Sequence, residues 1–74
     1  MNSGPIDAGA FVTRRAMAGL TQRELADRAK VSLSLIKKVE RGTRGLRPRT
    51  RWALAQAMGC HPDDFTELTT EAAA

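Results

Sequence analysis

The sequence predicts a small all-α domain, a compact bundle of five short helices, and three observations predict it. Its 74 residues leave room for one domain only. Strand signals are nearly absent: β-branched residues are few, apolar and polar residues do not alternate, and no Asn-Gly or Asp-Gly pair occurs. Short stretches of helical periodicity are instead punctuated by caps and stops.

Asp7 is an N-cap for a first helix running to Ala18, after which Gly19 supplies a left-handed stop. Thr21 caps a second helix to Ala29, and Glu24, three residues on, completes a capping box. Lys30-Val31 is a turn, and Ser32 caps a third helix that reaches Arg41 before Gly42 ends it. A basic loop follows over 43–47. Pro48 suits the first position of a fourth helix, which ends at Gly59. His61 precedes Pro62-Asp63-Asp64, an acidic first turn that favours a fifth helix through the helix dipole. Residues 1–6 read as a disordered leader, 7–69 as the folded domain and 70–74 as a flexible tail.

Composition excludes several functions. Hydrophobic residues at 42% with 27% charged describe a globule rather than a disordered chain. No apolar run approaches the roughly 18 residues of a membrane span, and no signal pattern opens the chain, so a cytoplasmic, nucleoid-associated protein is expected. The single cysteine, Cys60, cannot form an internal disulfide, consistent with a reducing compartment. Cys60 and His61 are too few for a metal site, and read as a core cysteine and a capping histidine. No Ser/His/Asp set, phosphate loop or dinucleotide fingerprint occurs. No enzyme, cofactor or metal is expected.

The net charge of +4 is unevenly spread. Residues 30–51 carry Lys30, Lys37, Lys38, Arg41, Arg44, Arg47, Arg49 and Arg51 against Glu40 alone, a net +7. Residues 52–74 carry four acids and no Lys or Arg. Such a block fits a polyanionic partner or a solvated face.

The junction of helices two and three narrows the choice. With only Lys30 and Val31 between them, the two helices must cross steeply, which needs a small residue at the approach. Ala26 supplies it, while Val31 plugs the turn and Ile36 and Val39 face inward, the packing pattern of a helix-turn-helix. On a helical wheel Ser32, Leu35, Ile36 and Val39 form the inner arc. Leu33, Ser34, Lys37, Lys38 and Arg41 occupy the opposite side, which has no acid, and Glu40 stands at the border. A stripe of this kind fits the major groove of DNA.

Gly19-Leu20-Thr21-Gln22, Glu24-Leu25-Ala26, Val31-Ser32, Leu35-Ile36, Val39-Glu40-Arg41-Gly42 and Leu54-Ala55-Gln56-Ala57-Met58-Gly59 together resemble the phage repressor/Cro-type helix-turn-helix family, often called Xre. The resemblance covers roughly residues 10–68, and the segment from Val31 to Lys38 is similar to Xre-type regulators common in actinobacteria. It implies a lambda-repressor-like fold and double-stranded DNA as partner. It also implies base contacts from Leu33, Ser34, Lys37 and Lys38. Backbone contacts would come from Gln22, Ser32, Arg41, Thr43, Arg44, Arg47 and Arg49, with Gln22 also bracing the recognition helix. Arg15 and Glu40 match a partly buried structural ion pair of related proteins.

Three positions depart from the family pattern. Lys30 stands where a turn glycine is usual, and Arg14 and Arg51 stand at positions often apolar. Trp52 is expected to fill the core in their place, and Met17 and Met58 to fill gaps. The resulting expectation is a sequence-specific transcriptional regulator, most simply a repressor, whose homodimerisation is weak or confined to DNA. The alternative is a protein-interaction component such as an antitoxin or a phage or plasmid accessory factor, gripping its partner through helix five. The +7 block on and beside helix three favours DNA.

Overall fold

Phe11 and Phe65 meet edge to face at the centre of the molecule, ring centroids 5.3 Å apart and planes at 85°. The computed structural model describes residues 4–67. Around this pair lie four α-helices in chain order: α1 (Ala8–Met17), α2 (Gln22–Ala29), α3 (Leu33–Glu40) and α4 (Pro48–Met58). Leu25, Ile36, Val39 and Leu54 complete the solvent-free centre. The helices pack α1 on α3, and α2 on both α3 and α4.

The first three helices start where their cap residues stand, and α4 starts at Pro48 with no side-chain cap. The Asp7 carboxylate accepts from the Ala10 amide at 3.0 Å, and Ser32 Oγ from the Leu35 amide at 3.1 Å. Thr21 and Glu24 exchange side-chain and backbone bonds in a complete capping box. Lys30 takes the left-handed conformation, φ 59°, which lets the Val31 amide turn back onto the Ala26 carbonyl at 3.0 Å. Ala26 is buried and Val31 packs on the core, so the α2–α3 junction is closed by these small and apolar side chains.

The fifth helix is corrected. Pro62–Phe65 forms a single 3-10 turn of four residues packed on α1 and α4, and the described residues contain four α-helices. Propagation stops because Thr66 is extended and pairs antiparallel with Ile6. The Asp7 amide donates to the Phe65 carbonyl, and the Glu67 amide to that of Pro5. The same pairing sets Gly4–Ile6, placed in the leader from sequence, alongside residues 65–67. Ile6 is buried, and a Cβ on Gly4 would overlap the Glu67 carbonyl oxygen. The rest of that leader, 1–3, and the expected tail 70–74 lie outside the described residues.

Two core assignments also change. The buried stripe of α4 is Arg51, Leu54, Ala55 and Met58, a helical i, i+3, i+4, i+7 series. Trp52 lies one residue off that stripe and is 51% exposed, its indole resting edge-on against His61 with centroids 5.0 Å apart. Met17, at the end of α1, is 70% exposed and fills no gap. Met58 is buried, and Cys60 is half-buried against the core.

Candidate nucleic-acid interface

The two buried residues of α3, Ile36 and Val39, fix which way the helix faces. Ser34, Lys37 and Lys38 are therefore turned to solvent, while Leu33 and Leu35 at its start are half-buried against the core. Leu33 thus stands at the edge of the outward face rather than within it. Ser32 is exposed, with its hydroxyl engaged by the Leu35 amide. The amides of Leu33 and Ser34 are left pointing outward, as at any first helical turn.

Glu40, the one acid of the basic block, is fully engaged. Its carboxylate accepts from Arg15 Nε at 2.6 Å, Arg15 Nη2 at 3.1 Å and Gln22 Nε2 at 2.9 Å. Arg15 Nη1 also donates to the Leu20 carbonyl at 2.9 Å. The Arg15 guanidinium is held above its ordinary value chiefly by the Glu40 hydrogen bond. One carboxylate therefore joins α1, the start of α2 and the end of α3. The Gln22 amide braces α3 through Glu40.

Beyond α3 the chain turns on Gly42, whose φ of 77° allows the Thr43 amide to reach back to the Lys38 carbonyl at 3.1 Å. Thr43 Oγ1 donates to the same carbonyl at 3.1 Å, so its proton is spent locally and only its lone pairs face outward. Arg41, Arg44, Arg47 and Arg49 are exposed on this loop and the first turn of α4. Among the described residues the ion pairs join Arg14 to Asp64 and Arg15 to Glu40. None engages Lys37, Lys38, Arg41, Arg44, Arg47 or Arg49, so the surface on and beside α3 is cationic and uncompensated.

The acids lie elsewhere. Asp63 and Asp64 lie within the 3-10 turn, whose cap is His61: its Nδ1 accepts from the Asp63 amide at 3.1 Å, and the Asp64 carboxylate accepts from the His61 amide at 3.0 Å. Among the described residues no three potential metal ligands gather. Burial, with Asp64 nearby, pushes the Cys60 thiol up. Among the same residues no helix is long and apolar enough to cross a membrane.

One residue beside this surface had no role assigned from sequence. Arg51 is 4% exposed and donates through Nε to the Leu46 carbonyl and through Nη1 to Thr66 Oγ1, both at 3.0 Å. Its spacing from Leu54, Ala55 and Met58 was the available signal, since it sets an arginine on the inner stripe.

A helix-turn-helix family profile matches residues 13–65, more than half of the chain. Two solved structures overlay on the fold with a TM-score of 0.72 each. One is the restriction-modification controller protein C.AhdI from Aeromonas hydrophila, 28% identical, covering 77% of this chain and 86% of its own. The other is the clp gene regulator ClgR from Corynebacterium glutamicum, 30% identical, covering 77% of this chain and 61% of its own. No protein of curated function matches significantly.

Proposed function

We infer that this chain, which belongs to the helix-turn-helix family, is a DNA-binding transcriptional regulator that lays α3 in the major groove. The observation that carries this is the outward face of α3. It presents Ser34, Lys37 and Lys38 with no free carboxylate beside them, because Glu40 is bound by Arg15 and Gln22. Lysine ammonium groups donate to guanine O6 and N7, a serine hydroxyl serves either partner, and the exposed edge of Leu33 suits a thymine methyl.

Affinity would come from the flanks. Arg41, Arg44, Arg47 and Arg49 neutralise phosphates, and the first-turn amides after Ser32 and Thr21 offer further donors. Thr43 orients the loop more than it donates, since its hydroxyl proton is committed to Lys38. Gln22 has one amide hydrogen left for a phosphate after bonding Glu40. Two copies on a palindrome, with half-sites about one helical turn apart, are the arrangement such modules favour. Repression by occluding a promoter in the cytoplasm is the simplest outcome of such binding.

Selection of bound fragments from a random DNA pool tests this reading, followed by a gel shift across a salt series. A recurring, palindromic motif whose affinity falls steeply with salt is expected. No enrichment, together with a flat salt response, would overturn it.

A further inference from the structure

Arg51 is a buried cation with no carboxylate partner among the described residues. Burial alone lowers its pKa, so the site charges a desolvation cost that an apolar residue on the same stripe would avoid. What the guanidinium does with its donors is specific. Nε holds the carbonyl of Leu46, the next-to-last residue of the basic loop 43–47 and the neighbour of Arg47, which caps α4. Nη1 holds Thr66 Oγ1, which itself donates to the Pro62 carbonyl at 2.8 Å and whose backbone pairs with Ile6. The loop bearing Arg44 and Arg47 is thereby tied, through one planar fork, to the point where Thr66 pairs with Ile6.

We propose that Arg51 is a positioning residue for DNA binding: it sets the backbone of loop 43–47 so that Arg44 and Arg47 meet phosphates together. This rests on the DNA-binding reading above for its consequence, but its physical basis, a loop fixed by Arg51, is testable without DNA. A planar fork does this better than an ammonium, because it reaches both Leu46 and Thr66 in fixed geometry. Base readout lies on α3 and is independent of Arg51, so the residue governs backbone affinity and leaves sequence preference alone.

The test compares the whole chain with Arg51→Met and Arg51→Lys. An unbranched apolar side chain of similar length should be accepted by the core, since replacing a buried charge by an apolar group is often neutral. In Arg51→Met, amide order parameters over 43–47 are expected to fall from the rigid range near 0.85 to about 0.6, with α2 and α3 unchanged. DNA affinity is expected to drop about tenfold, with the log–log salt slope shallower by about one to two units. The ranking of altered sites should stay as in the wild type. Arg51→Lys, which keeps the charge but cannot span both Leu46 and Thr66 with a planar fork, is expected to fall between, and it serves if the methionine variant does not fold. A folded variant with unchanged loop order parameters overturns the proposal, because the packing of Leu46 would then suffice to fix the loop. So does an unchanged salt slope. If the wild type binds no DNA, the functional reading fails, while the loop measurement still decides whether Arg51 sets the loop.

Discussion

Arg15 Nε stands 2.6 Å from Glu40 Oε2, a contact spanning 25 residues of sequence that pins the last turn of α1 to the last residue of α3. Two further bonds, from Arg15 Nη2 and Gln22 Nε2, fill the other oxygen. The arrangement holds the cationic face of α3 in two ways. It fixes α3 against both preceding helices, and it withdraws the one acid of the basic block from the outward face.

Removing one member strands the other. With side chains 18% and 9% exposed, Arg15 and Glu40 are too enclosed for water to replace a lost partner cheaply. Glu40→Ala is expected to lose about 3 kcal/mol in urea unfolding. In a domain of this size that is a melting point lower by ten degrees or more, at about 4–8 °C per kcal/mol. Arg15→Met with Glu40→Leu should cost clearly less than the sum of the singles. Additive singles would show that the pair is not coupled.

Lys38 and Arg44 test the division between readout and grip. Lys38→Ala is expected to relax preference at one base position, at roughly 1–3 kcal/mol of lost discrimination. Arg44→Ala should weaken all sites about equally and make the salt slope shallower by about one unit. Parallel losses on every sequence from both variants would remove base reading from α3.

Lys30 adopts φ 59° and ψ 44°, a conformation that carries no Cβ penalty only for glycine. Lys30→Gly is expected to stabilise the fold by up to about 1 kcal/mol, reduced by the extra freedom of the unfolded chain. Thermal unfolding should register a rise of a few degrees. A lower melting point would mean that the lysine side chain stabilises the turn more than its backbone strains it.

What could be read from sequence was local. Thr21 and Glu24, or Ser32 and Leu35, lie within one helical turn of each other, so their bonds follow from spacing. The α2–α3 junction was legible for the same reason: Ala26, Val31, Ile36 and Val39 are close in sequence as well as in space. What failed depended on distant partners. Thr66 leaves the helical path because Ile6, sixty residues earlier, pairs with it, and nothing near Pro62 signals that. Trp52 was assigned to the core by its bulk, but helical register decides burial, and it favours Arg51. That Gln22 braces α3 was expected, but that it does so through Glu40 was not, because Glu40 was paired with Arg15 alone. The outward placing of Ser34, Lys37 and Lys38 was legible, since Ile36 and Val39 fix the opposite side, whereas Leu33 is half-buried at the edge of that face.

Glu24 offers a test at low pH. Its carboxylate accepts from the Thr21 amide at 2.8 Å, and that bond, with the Thr21 side chain next, holds its pKa below the ordinary value. A carboxyl group whose pKa is lower in the folded state stabilises the fold above its unfolded pKa, near 4.3, and the contribution disappears as pH falls through the folded value. Glu24→Gln can still close the capping box but has no charge to lose. The melting-point advantage of the wild type over Glu24→Gln is therefore expected to be largest near about pH 6 and to shrink steadily toward about pH 2.5. Because both proteins share every other titrating group, their difference isolates this carboxylate. An advantage that stays constant over the range would show that the charge on Glu24 contributes nothing, and that the box at the start of α2 holds by its hydrogen bonds alone.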